Sequence, residues 1–129
     1  MENNRNPIEP MIGSIFIQVH DMKRAAYWYA KLLGDSVVLE PEEKIYSMKL
    51  DNLILLLDSH RSETFQPSEH PLFSFSTDDI EKSYEFLINN NVEIFGDIER
   101  FPDISFLTIR DSEGNLIMVV QENFKDQVR

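Results

Sequence analysis

The side chains best suited to chemistry are few. His20, His60 and His70 are the only imidazoles and there is no cysteine, which excludes disulfides, thiolate ligands and a cysteine nucleophile. Metal binding requires several donors to converge. The spacing of the three histidines shows no such convergence, so they read as solvent-facing turn and linker residues. No glycine-rich phosphate loop occurs, and no Ser-His-Asp arrangement can be inferred. Tyr46 is the best acid or base on a strand, but a phenol near its ordinary pKa of ~10 needs considerable help to act at neutral pH. Arg110, at a strand end, could hold a carboxylate or phosphate through two hydrogen bonds, or simply be a surface charge.

Charge narrows the partners. Against 23 Asp+Glu stand only 12 Lys+Arg, a formal net charge of −11, which argues against nucleic acid because phosphate binding needs a basic surface. Neutral or cationic ligands are easier to accept, and the surplus also serves solubility. Hydrophobic residues are 42% and charged residues 27%, ordinary for a water-soluble globular chain. No apolar run approaches the ~20 residues of a membrane span. The polar start, MENNRNPIEP, carries no signal-peptide pattern, and with the absence of cysteine it makes the cytoplasm the expected compartment.

The elements that must position these groups come in two copies. From Ile12 to Gly34, Ile15, Ile17 and Val19 alternate with Ser14, Phe16 and Gln18, which predicts a strand with one face under a helix. Asp21 sits where an N-cap belongs. Met22, Ala25, Ala26, Tyr29, Leu32 and Leu33 then recur at helical spacing before Gly34. A second copy starts at Leu72: Phe73, Phe75 and Thr77 alternate with Leu72, Ser74 and Ser76. Asp78 and Asp79 open its helix, with Glu81 placed for a capping box, and Ile80, Ser83, Tyr84, Leu87 and Ile88 form the buried stripe up to Asn91. Asp21 and Asp79 lie 58 residues apart, close to half the chain, which indicates duplication of one unit.

Between and after these copies the pattern predicts strands. Ser36 to Glu40 reads as a short strand, then Lys44 to Leu50 and Leu53 to Asp58 as a hairpin turning at Asp51-Asn52, with Met48 opposite Leu55 and Tyr46 opposite Leu57. The all-apolar run Leu53–Leu57 predicts a central strand. Val92 to Ile98 reads as a weak strand, Ser105 to Arg110 and Leu116 to Gln121 as strong ones, and Asp111 to Asn115 as a tight turn. The expected order is βαβββ twice. Residues 1–10 and 122–129 are expected to be tails, and 11–121 a single domain of modules 11–59 and 70–121 joined by a linker at 60–69.

With both units placed, Val19-x-Asp21-Met22, Trp28-Tyr29-x-x-Leu32-Leu33-Gly34, Asp78-Asp79-Ile80 and Asp111-x-x-Gly114-Asn115 together resemble the signatures of the vicinal-oxygen-chelate superfamily, which includes glyoxalase I, extradiol dioxygenases and bleomycin-resistance proteins. The resemblance implies an α+β fold in which two βαβββ modules form a curved mixed sheet around a cavity, helices outside, and often a homodimer. It also implies that the metal-ligand positions of the family's enzymes fall on Ser14, Leu55, Leu72 and Met118. Leucine has no donor atom, a serine hydroxyl is a poor ligand, and a thioether suits soft ions, so neither a metal nor another cofactor is expected.

By strand parity the cavity face would carry Ser14, Phe16, Gln18, Tyr46, Met48, Leu55, Leu57, Leu72, Ser74, Ser76, Phe106, Thr108, Met118 and Val120, with Arg110 near its mouth. That apolar, aromatic and hydroxyl mixture suits a small-molecule pocket. The same side chains could instead fill a core or pack on a second subunit. The reading that follows is a metal-free small-molecule-binding protein of the bleomycin-resistance type. The alternative is a glyoxalase-like lyase with relocated ligands or metal-free chemistry.

Overall fold

The computed structural model describes residues 6–123, so residues 1–5 and 124–129 of the expected tails lie outside it. Its elements run β1 (Ser14–Gln18), α1 (Met22–Leu33), β2 (Ile45–Lys49), β3 (Ile54–Asp58), β4 (Ser74–Ser76), α2 (Ile80–Asn89), β5 (Glu93–Ile94), β6 (Glu99–Arg100), β7 (Ile104–Arg110) and β8 (Leu116–Glu122). The fold is mixed α+β. In the first module β3 lies between β1, to which it is parallel, and β2, to which it is antiparallel. In the second the order is β4-β8-β7-β5, with β6 also on β7, and β4 runs parallel to β8.

The duplicated helix starts are visible atom by atom. Asp21 and Asp79 are both N-caps in extended backbone, their side chains accepting from the N–H groups of Arg24 and Lys82. Gly34 ends α1 at φ 72°, and Asn91, at φ 60°, takes the corresponding place after α2. The expected capping box is not formed, because Asp79 rather than Asp78 is the cap and Glu81 instead pairs with Arg100.

Two predicted strands are corrected. Ser36–Glu40 is irregular: it finds no strand partner among the described residues, Val38 points outward, and its N–H is held by the Tyr46 hydroxyl at 3.3 Å. Val92–Ile98 is broken after Ile94 at Gly96, whose φ of 87° leaves the strand region, so that only Glu93–Ile94 pairs with β7 before β6 begins.

Ala25, Ala26, Tyr29 and Ala30 of α1 and Ile80 and Leu87 of α2 join one core with Ile17, Leu55, Leu57, Leu107, Ile109, Ile117 and Val119 of the sheets. The modules are joined by the turn Asp111–Asn115, which docks on the junction of β1 and α1. Asp111 accepts from the backbone N–H groups of Glu113 and Asn115 at 2.8 Å each and from the buried Tyr29 hydroxyl at 2.6 Å. Asn115 donates to the Gln18 carbonyl at 3.0 Å. Glu113 accepts from the N–H groups of His20 and Asp21 at 2.8 and 2.9 Å and from Arg24 through two nitrogens at 2.8 and 3.0 Å. Gly114 has φ 93°, and a Cβ there would stand 3.0 Å from Pro67.

Candidate functional site

Strand pairing decides which side chains share the sheet face that carries no helix. On β1 they are Ser14, Phe16 and Gln18, and their partners on β3 are Ile54, Leu56 and Asp58. Next along, Ser47 of β2 stands opposite Leu56. In the second module Ser74 and Ser76 lie beside Met118 and Val120, which in turn face Thr108 and Phe106. Arg110 lies on the same side opposite Leu116, and Leu72, just before β4, hydrogen-bonds Leu116 through its N–H at 3.0 Å. Phe16 is 53% exposed and Leu72 44%.

Tyr46, Met48, Leu55 and Leu57 are not on this face. Hairpin register places Tyr46 opposite Leu57 and Met48 opposite Leu55 as expected, but β1 pairs Ile15 with Leu55 and Ile17 with Leu57, so all four side chains point to the helices. Met48 and Leu55 are accordingly 3% and 0% exposed. The error is one residue of phase. Because side chains alternate with a period of two, it transfers a whole hairpin to the opposite face. Arg110 is also committed locally. It donates to the Gly114 carbonyl at 2.9 Å, approaches Glu93 at 3.5 Å and lies over the Phe95 ring at 5.2 Å.

The correction changes one of the four ligand positions without supplying a donor. The 58-residue offset aligns Ser14 with Leu72 and Phe16 with Ser74; Ser74 pairs with Met118 and Phe16 with Leu56, so Leu56 replaces Leu55 as the counterpart of Met118. Ser14, Leu56, Leu72 and Met118 do not fit a hard or borderline divalent ion. Among the described residues no three His, Asp or Glu side chains are grouped so as to hold a metal ion.

One polar group on this face was missed in the sequence. Asp58, 6% exposed, ends β3 and accepts on Oδ1 both the backbone N–H of His60, at 2.9 Å, and its ring Nδ1, at 2.8 Å. Burial alone would raise the Asp58 carboxyl, but these hydrogen bonds, the His60 ring and Gln18 outweigh it and the pKa falls below its ordinary value. Among the described residues the buried Gln18 side-chain oxygen has no hydrogen-bond partner. The spacing Asp58-x-His60 was the available signal. His20, by contrast, is a packing residue, its Nδ1 on the Ser62 carbonyl at 2.8 Å and its ring 4.6 Å from that of Phe65, and His70 is exposed shortly before β4.

Where β1 and β4 approach each other they share no ladder, and a cleft of about 530 Å³ opens between the modules. It is lined by the helix-facing Ile15, Leu55, Phe73 and Phe75, by Ser74 and Ser76, and by the end of α1 and the β2–β3 turn. Its size lies within the ~300–1,000 Å³ usual for small-molecule sites.

Residues 11–119 match the family model of the Glyoxalase/Bleomycin resistance protein/Dioxygenase superfamily. No curated protein matches the chain. Among solved structures, lactoylglutathione lyase from Agrobacterium tumefaciens is 19% identical with a TM-score of 0.71, over 93% of this chain and 98% of that one. A superfamily member from Sphaerobacter thermophilus is 21% identical with a TM-score of 0.70, over 88% and 98%. TnmS3, an antibiotic binding protein from Streptomyces sp. CB03234, is 20% identical with a TM-score of 0.72, over 92% and 99%. At these identities the likeness is one of fold.

Proposed function

The chain belongs to the Glyoxalase/Bleomycin resistance protein/Dioxygenase superfamily, and on that premise we propose that it is a metal-free binding protein for a small, partly aromatic or cationic compound. The observation that carries this reading is the helix-free face itself. Phe16, Leu56, Leu72, Phe106 and Met118 are interleaved there with the hydroxyls of Ser14, Ser74 and Thr108, and Ser74 also borders the cleft between the modules. Such a surface gives an apolar body area to bury and a few polar anchors to orient it. Aliphatic and thioether groups stand where an activating ion would need oxygen or nitrogen donors. That the antibiotic binding protein from Streptomyces shares the fold supports the reading by analogy.

Thermal melting against a panel of aromatic and cationic compounds tests it. A ligand present at a hundred times its Kd stabilises the native state by about 2.7 kcal/mol, a rise of several degrees in Tm for a chain of this size. The rise should survive EDTA and shrink in Phe16→Ala and Met118→Ala. A panel that leaves Tm unmoved would count against binding. Stoichiometric Ni, Zn, Fe or Mn in untagged protein would favour the glyoxalase-like lyase instead.

A further inference from the structure

We propose that the polar end of the helix-free face, His60 held by Asp58 beside Gln18, recognises the hydroxyl of a phenolic ligand whose ring lies on Phe16 and Leu56. The inference rests on the binding role given above and names the ligand chemistry for this site.

Asp58 is ionised and nearly covered, and its Oδ1 receives the His60 backbone N–H and Nδ1 together, so both the position and the orientation of the ring are fixed. In the neutral ring a proton on Nδ1, donated to Asp58, leaves Nε2 with a free lone pair. The His60 side chain is 54% exposed, and among the described residues Nε2 has no hydrogen-bond partner. A half-exposed ring with an acceptor nitrogen is therefore held beside the end of β3.

The neighbouring strand step supplies the rest. Phe16 and Leu56 are paired two residues before Gln18 and Asp58 on the same face, a separation of roughly 6.7 Å along the strands. An aromatic ring resting on Phe16 and Leu56 would lie one strand repeat from Asp58, the carboxylate that holds the His60 ring, and in this proposal its hydroxyl stands against Nε2. The charge pattern selects among donors. A carboxylate meets Asp58 and a chain of net charge −11, whereas a phenol is neutral, donates strongly and buries its ring. Methylation of that hydroxyl removes the donor and keeps the ring.

The test compares 1-naphthol with 1-methoxynaphthalene by NMR titration of the full chain, following methyl and aromatic signals of Leu56, Met118 and Phe16 and the ¹⁵N signals of His60. Wild type should bind 1-naphthol about tenfold more tightly than the ether, with Nε2 rather than Nδ1 shifting on binding. In His60→Ala the preference should collapse to less than about twofold, and His60→Gln, which keeps an acceptor, should restore part of it. If both compounds bind but the preference is unchanged in His60→Ala, this inference falls while the binding role stands. If neither compound moves any signal on the face, the aromatic binding role falls with it.

Discussion

Glu113 holds a negative charge where water scarcely reaches, and its surroundings explain why. Burial alone would raise its pKa, but hydrogen bonds from Arg24, Asp21, Ser112 and His20 overcome that and lower it from 4.5 to about 2. Because the folded value is depressed, the associated stability is fully present above pH ~4.5 and is lost as the pH falls towards ~2. The difference corresponds to about 3 kcal/mol. Urea unfolding of Glu113→Gln should therefore show a loss of about 2–3 kcal/mol at pH 7 and a smaller gap to wild type at pH 3; a gap independent of pH would contradict this account. Tyr29 works on the other side of the same turn. Burial first, then the neighbouring Asp111, push its phenol well above its ordinary value, so it remains a donor to Asp111 at any pH the fold tolerates. The turn was legible from Asp111, Gly114 and Asn115, whose backbone geometry is local. The clamp was not, because the donors His20, Asp21 and Arg24 lie about ninety residues before Glu113 in the chain.

At the level of elements, local signals were read correctly where the chain supplies its own partner. The Asp21 cap, the Asp78-Asp79 start of α2 without its expected capping box, the left-handed residues after each helix and the register of the β2–β3 hairpin are all set by residues within a few positions of one another. Asp21→Ala and Asp79→Ala should each cost about 1 kcal/mol in thermal or urea unfolding, since each cap satisfies one otherwise orphaned helix N–H. What could not be read was the pairing of β1 with β3, across a helix and a loop, and with it the phase that turns Leu55 inward and Leu56 outward. A strand at Ser36–Glu40 failed for the same reason: alternation and composition describe a strand's faces but not whether a neighbour exists to bond it. Adjacent leucines now give a sharp test. Leu55→Ala should destabilise the fold by about 2–5 kcal/mol, as expected for a fully buried leucine, and Leu56→Ala by less than about 1 kcal/mol while weakening binding of an aromatic ligand. Equal losses in unfolding would mean that the two faces are not distinguished as described.

At the scale of the whole molecule, each helix covers one side of its sheet, and among the described residues no helix covers the other. Phe16, Leu72, Phe95 and Phe101 are all about half exposed there or at its borders, a large amount of apolar surface for a domain of 129 residues. We propose that a second copy closes this face, giving a homodimer in which the ligand site is sheltered. Electrostatics supplies the test, since two copies each of net charge −11 repel one another while apolar burial draws them together. Raising ionic strength from 0.01 to 0.15 M shortens the screening length from ~30 to ~8 Å and should remove most of that repulsion with little effect on apolar contact. Light scattering and sedimentation should then show a mass of twice 15.1 kDa whose dissociation constant falls as salt rises, and Leu72→Lys or Phe101→Lys should return the protein to monomer without lowering its unfolding midpoint at low concentration. A dimer weakened by salt would be held by ion pairs elsewhere on the surface, and the open face would then need another explanation.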